Sequence, residues 1–305
     1  MRIDLYTRCW NDGHMLPFLF RHYDNLVQRY VVYDDGSTDN SLELLRSHAK
    51  VEVRPMPEHS DPQSRSASGL ALLERCWKES RGVADWVIVT DVDEFLFHPD
   101  IARYLGACKR RGVTIIPALG YEMMSDEFPP QDVSICHAVT TGAPCHLSSK
   151  MNIFSPNEIV TTNFAPGRHS AAPEGRVVLP PRDELLLLHY KYLGFERIRH
   201  RHQQYLTRQK AKDLQMGWAV KYTWSEEELR EHWNGLASQL IDISAPNLRP
   251  WKTHKAERWW EHYPRTGLAI MSRLRPIARR LSNRVARRTM LWLSKMRRTG
   301  PHSAR

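Results

Sequence analysis

A chain of 305 residues that is 41% hydrophobic carries enough apolar material for a substantial core, so one large α/β domain or two fused halves is expected and general disorder is excluded. The net charge of +10 points to nucleic acid only until its location is examined. Of 44 basic residues, eleven Arg and one Lys fall in 264–305, where there is no Asp or Glu, leaving 32 basic against 34 acidic residues elsewhere.

The body is therefore close to neutral, and no nucleic-acid partner is expected for it. The longest apolar run, 185–188, is far short of the roughly 18 residues that a membrane-spanning helix requires. A strand-like run begins at residue 3 with no signal-peptide pattern before it, and the five cysteines are scattered and odd in number. A cytoplasmic location with reduced thiols is the expectation.

In chain order, residues 2–7 read as a strand and 15–26 as a helix with Pro17 near its first turn. Strands follow at 29–33, 51–54 and 85–90, alternating with helices at 41–48, 66–79 and 101–111. That is the βα alternation of a largely parallel sheet. Beyond Gly112 the texture becomes irregular, with β-like runs at 113–116, 150–154 and 185–189 between Pro-rich and Gly-rich loops, where acceptor recognition is expected. Helices resume near 195–212 and 225–240. Three segments are expected: 1–112 as a nucleotide-sugar-binding half, 113–250 as an acceptor-side half of the same domain, and 251–305 as a basic amphipathic tail.

Two acidic clusters stand at strand ends. Asp34 and Asp35 follow the apolar strand 30–32, at the sheet edge where α/β proteins bind ligands, and acceptor-only carboxylates there suit the hydroxyl and N–H donors of a nucleoside. Gly36 reads as a tight turn, Asn40 as a helix cap and Glu43 as the other half of a capping box. Asp91 and Asp93 follow the strand 86–90; two residues apart, they would share a face in extended backbone. Oxygen ligands of this kind favour Mg²⁺ or Mn²⁺, whose remaining positions are filled by water and phosphate. The plainer alternative is an acidic loop capping a helix that starts near Pro99.

Three ordered blocks now carry a resemblance: Asn11-Asp12-x-x-Met15-Leu16-Pro17-Phe18, Val31 through Asp39 with Asp34-Asp35-Gly36-Ser37 inside it, and Trp86 through Leu96 around Asp91-Val92-Asp93-Glu94. Together they resemble the glycosyltransferase family 2-like group of the GT-A fold, firmly over the first third and more loosely to about residue 210. The resemblance implies a Rossmann-like, mainly parallel sheet flanked by helices, and a hexosyltransferase-like enzyme that moves a sugar from a nucleotide donor, UDP-sugar foremost, to a hydroxyl. It implies inverting displacement, metal binding at Asp91 and Asp93, and a late histidine, His189, as a third ligand to Mn²⁺ or Mg²⁺. Nucleotide contacts fall to Asp12, Asp34, Asp35 and Asp91. Where family members show Arg-Asn-Glu, this chain has Trp10-Asn11-Asp12, which offers Trp10 for stacking on the base.

Glu122, Asp126 and Glu127 form the pool for a catalytic base, with Asp126 the choice among them. Lys150 and His169 are candidates to contact the diphosphate or the acceptor, with isolated surface cations as the plainer reading; Arg199 through His202 read as an exposed basic helical face, and the pairs Cys136-His137 and Cys145-His146 match no usual zinc spacing. Processive synthases carry Gln-x-x-Arg-Trp; here Lys255 precedes Arg258-Trp259, so addition of a single sugar is expected, in glycan or surface-polysaccharide synthesis. The 264–305 tail suits an anionic membrane surface, which would bring the enzyme to a glycan or lipid-linked acceptor at the inner membrane face. The rival reading is a non-catalytic nucleic-acid or membrane adaptor acting through that tail.

Overall fold

The computed structural model describes residues 1–57, 61–254 and 258–266. The strands are β1 (Ile3–Cys9), β2 (Arg29–Asp34), β3 (Val51–Pro55), β4 (Trp86–Val89), β5 (Glu94–Phe97), β6 (Ile115–Ser125), β7 (Thr141–Pro144), β8 (Lys150–Phe154), β9 (Ile159–Thr161), β10 (Glu174–Gly175), β11 (Leu186–Leu193) and β12 (Ile241–Asp242). The helices are α1 (Leu16–Tyr23), α2 (Ser41–Ser47), α3 (Arg65–Arg75), α4 (Ile101–Arg110), α5 (Ile135–Ala138), α6 (Phe195–Leu206), α7 (Ala211–Gln215), α8 (Glu226–Ala237) and α9 (Pro250–Thr253).

The main sheet runs β12-β7-β6-β8-β4-β1-β2-β3, with β11 added beside β6 and β5 beside β11. β3, β2, β1 and β4 pair in parallel, as do β6 and β11, and the remaining pairings are antiparallel. Most paired positions are parallel, so the expected mixed, mainly parallel sheet flanked by helices is what the chain forms. Because β2 and β4 lie on opposite sides of β1, the crossovers diverge there and leave a crevice at the carboxyl ends of those strands.

The core explains this order. β4 is buried along its whole length, and Trp77, Trp86, Phe95, Phe154 and Tyr190 are among its largest fully enclosed side chains. α1 contributes Leu16, Phe18, Leu19 and Tyr23 from one face, with Pro17 fixing its first turn. α3 is capped by Ser64, whose hydroxyl accepts from Ala67 N. The anticipated capping box at α2 is absent: Asn40 makes no cap bond, and Asp39 accepts the Ser41 N–H at 3.0 Å instead.

Two strands differ from expectation in ways that matter for the site. β6 extends to Ser125, which carries Glu122 into the sheet, and β5 follows β4 after only a short turn. Asp91 and Asp93 therefore stand in a turn rather than in extended backbone, and they face different partners. Gly120 makes β6 possible at this point, since a Cβ there would lie 2.2 Å from the Ser148 carbonyl carbon and 2.3 Å from its oxygen. Both obstacles are backbone, so Gly120→Ala is expected to cost about 1–3 kcal/mol, read as a lower melting temperature; an unchanged melt would mean that the 145–149 loop shifts freely.

Of the anticipated basic tail, 267–305 lies outside the described residues, as does Lys255. Arg258 and Arg265 are described, and both pair with the buried Asp183, at 2.7 and 2.8 Å. They belong to the folded body.

Candidate active site

The turn between β4 and β5 is held by a buried arginine. Arg168, 3% exposed, donates to Val89 O at 2.6 Å, Asp91 Oδ2 at 2.8 Å and Glu94 Oε2 at 2.8 Å. It sits after Pro166-Gly167 with φ +57, a left-handed conformation that costs a non-glycine residue about 1 kcal/mol or more, and the three acceptors hold it there. Glu94 is fully buried and also meets the Lys150 ammonium and Asn152 Nδ2, the latter at 3.1 Å. Burial opposes its ionisation, but Lys150 and Arg168 outweigh that and hold the carboxyl well below the usual carboxylate range. Lys150 is thus an interior ion-pair partner and not a surface cation. Arg8 approaches the other oxygen of Asp91, at 3.7 Å.

Asp93 belongs to a second arrangement. Its Oδ2 lies 3.4 Å from His189 Nε2, and His189 Nδ1 lies 3.0 Å from Glu122 Oε2. Strand pairing brings these together, because His189 on β11 stands opposite Glu94 on β5 and Glu122 on β6. The Ser148 hydroxyl donates to Glu122. Burial disfavours the imidazolium, yet Glu122 and Asp93 overcome it and push His189 up to about 10. Against the same burial, His189 draws Glu122 down to about 2 and Asp93 below the usual carboxylate range. Glu122 is therefore the partner of a histidine rather than a free base.

Helix α6 supplies a basic and aromatic roof. The chain turns into it at Gly194, φ +76, and Arg201 reaches back to Asp12 Oδ1 at 2.6 Å and to Asn11 O at 2.9 Å. Arg208 lies over the Trp10 ring, 3.8 Å from its centre, and meets Asp35 at 2.9 Å; Arg65 pairs with the same carboxylate. Trp10 packs on Tyr205 with ring centres 5.4 Å apart. The expected exposed face from Arg199 to His202 is corrected here: Arg201 is turned inward to an ion pair and His202 is buried.

Asp34 spends its carboxylate on its own turn, accepting from Gly36 N and Ser37 N at 3.1 Å. With Asp35, Arg54, Met56, Arg65 and Arg208 it borders a cleft of about 620 Å³. Asp126 is not brought to Asp91 or Asp93 by any ion pair or hydrogen bond among the described residues; it lines a separate cleft of about 460 Å³ with Thr140, Thr141 and Trp233. His169 is exposed and its Nδ1 meets Leu147 O, and Cys136 Sγ lies 3.5 Å from His22 Nδ1, away from any zinc quartet. Among the described residues no group of three or more His, Cys, Asp or Glu side chains is arranged to hold a metal ion.

Fold and site together define a Rossmann-like α/β protein with acidic strand ends and arginines gathered at the crevice of its parallel strands. A profile described as glycosyltransferase family 92 matches residues 14–215, and the chain belongs to that family. The family so found is family 92, where the sequence motifs resembled the family 2-like group. A glycosyltransferase family 92 protein of Ricinus communis is 24% identical over 197 residues, which cover 62% of this chain and 35% of that protein. The chain thus matches about a third of that relative's length. Similar solved structures include S. aureus TarS, with 14% identity, TM-score 0.33, and coverage of 51% of this chain and 28% of that one. Another is glucosyl-3-phosphoglycerate synthase from Mycobacterium tuberculosis in complex with Mn²⁺, UDP and glucosyl-3-phosphoglycerate, with 19% identity, TM-score 0.28, and coverage of 39% and 44%.

Proposed function

We propose that this protein transfers a single sugar from a nucleotide-diphosphate donor, UDP-sugar foremost, to a hydroxyl acceptor with a divalent ion held at Asp93 and His189. The observation that carries this reading is the Asp93–His189–Glu122 series. Adjacent octahedral ligands about 2.1 Å from an ion lie about 3 Å apart, and the Asp93 oxygen and His189 Nε2 stand 3.4 Å apart, so the pair fits Mn²⁺ or Mg²⁺. Glu122 on the other ring nitrogen supplies the carboxylate–histidine support typical of metal-ligating imidazoles. An ion there would supply Lewis-acid stabilisation of the departing diphosphate.

The chain's own groups have separate tasks. Asp35, Arg65 and Arg208 border the crevice beside Asp34 and provide hydrogen-bonding partners for a nucleoside, with the Trp10 ring beneath Arg208. Arg201 fixes Asp12, and Arg168 with Arg8 fixes Asp91, so both carboxylates are oriented before a donor arrives. Asp126, exposed in the second cleft beside Trp233, is the group we assign to take the acceptor proton, in keeping with inverting displacement. Glycan or surface-polysaccharide synthesis is the setting in which a hydroxyl acceptor of this kind occurs.

Calorimetric titration of UDP, with GDP beside it, into the full chain with and without Mn²⁺ tests the reading. Binding of UDP that needs Mn²⁺ is the expected result. Binding of neither nucleotide under any metal condition would remove the donor site altogether.

A further inference from the structure

Helix α6 carries three arginines, and two of them are spent. Arg199 pairs with Glu196 at 2.8 Å, and Arg201 gives its guanidinium to Asp12 Oδ1, Asn11 O and the Tyr205 hydroxyl. Arg197 stands one turn before Arg201 on the same side of the helix. It is half-buried, yet it makes no ion pair within 4 Å and no side-chain hydrogen bond with a described residue. What it has is an aromatic face: its guanidinium carbon lies 4.5 Å from the centre of the Phe128 ring, which Phe18 and His14 meet edge-on at 5.8 and 5.9 Å.

The topology puts this guanidinium where α/β proteins bind ligands. β8 is antiparallel to both β4 and β6, and β11 is parallel to β6, so β1, β4, β6 and β11 all run the same way. His14 follows the carboxyl end of β1, Phe128 that of β6 and Arg197 that of β11, and the three meet at the sheet edge that presents Asp93 after β4. Three acids of that edge are committed elsewhere: Asp12 to Arg201, Asp93 to His189, and Asp39 to the Gly13 and Ser41 N–H groups. Burial pulls Arg197 down to about 10 against the attraction of Asp93, which leaves it a cation at neutral pH. A half-buried guanidinium has lost part of its hydration, and a phenyl face offsets only part of that loss. Its planar fork presents paired N–H donors that match two oxygens of a phosphate or a carboxylate.

We propose that Arg197, held flat on Phe128 at the carboxyl ends of β1, β6 and β11, receives an oxyanion of a bound substrate. This rests on reading the chain as a nucleotide-sugar-dependent transferase, and it adds a binding residue to that reading. The oxyanion has two possible sources: the diphosphate of the donor, or an acidic group carried by the acceptor.

The test measures binding of UDP, uridine and inorganic phosphate to the full chain with Mn²⁺, comparing wild type with Arg197→Met, which keeps an apolar stem against Phe128. If the donor supplies the oxyanion, the variant binds UDP about tenfold or more weakly and uridine as before. If the acceptor supplies it, UDP is unaffected, while phosphate binds the wild-type UDP–Mn²⁺ complex and fails to bind that of the variant. UDP and phosphate affinities within twofold of wild type would overturn the proposal and leave the nucleotide reading standing. Should the variant fail to fold, the wild type answers by itself through labelling with the arginine reagent phenylglyoxal, mapped by mass spectrometry. UDP with Mn²⁺, or phosphate, is expected to slow the labelling of Arg197 and not that of Arg199; protection by neither would overturn the site. A wild type in which phosphate protects Arg197 but UDP does not bind would keep the oxyanion site and sink the nucleotide reading instead.

Discussion

Arg168→Ala is expected to destabilise the protein by about 3–5 kcal/mol, a fall in melting temperature on the order of 10 °C for a domain of this size. The reason is what remains after the guanidinium leaves. Glu94 stays fully buried with Lys150 as its remaining ion pair among the described residues, Val89 O loses its side-chain donor, and Asp91 loses the shorter of its two ion pairs. A buried charge stripped of one partner costs more than the pair was worth, because its desolvation is no longer offset. Arg168→Lys should recover only part of the loss, since a single ammonium cannot reach three acceptors that a planar fork serves together. Truncating Glu94 to alanine in the Arg168→Ala background should cost less than the two single losses combined. Thermal or urea unfolding measures all of these. A Arg168→Ala protein that melts within about 2 °C of wild type, where about 1 kcal/mol already moves a domain of this size by 2–4 °C, would show that the turn is not held in this way.

The second large effect concerns metal. Glu122→Gln is expected to weaken Mn²⁺ binding about 10- to 100-fold, the usual consequence of removing the carboxylate behind a ligating histidine. Without an ion His189 is an imidazolium between two carboxylates; an ion at Nε2 would replace the proton that faces Asp93 while Glu122 keeps the Nδ1 proton, and a neutral amide in its place orients the ring less firmly and makes it less basic. Asp93→Ala should abolish metal-dependent UDP binding outright, because it removes the anionic ligand on the other side. Asp126→Asn, which removes no ligand of the ion, should leave Mn²⁺ and UDP binding at the wild-type level. Calorimetry with Mn²⁺ alone and with UDP separates these outcomes. Wild-type Mn²⁺ affinity in Glu122→Gln would mean that His189 is not a ligand and that its pairing with two carboxylates is structural.

Much of the framework is legible along the chain. The βα alternation through residue 112 gives β1 to β4 and the helices between them, because apolar periodicity and turn residues are local; β1, β2 and β4 are apolar enough to be buried, while β3 stays partly exposed. Asp34, Asp35, Asp91 and Asp93 could be placed at strand ends for the same reason: an apolar run followed at once by acidic residues leaves few other positions for them. What each carboxylate faces was not legible. Asp91 and Asp93 were expected to share a face, and a turn of three residues sends one to Arg168 and the other to His189.

The sequence by itself determined the elements, the acidic strand ends and the class of chemistry they suit. Only the tertiary structure decided which cations and histidines meet those acids. Arg201 and Asp12 are 189 residues apart, Arg168 and Asp91 are 77 apart, and Glu122 and His189 are 67 apart. Such pairs are set by strand order and register: β11 inserting between β5 and β6 brings His189 to Glu122, and the left-handed Gly194 swings α6 over Trp10. No periodicity of the chain records a partner on another strand, because the free energy that selects it comes from closing the sheet and desolvating charges together, and that term exists only once the fold has formed.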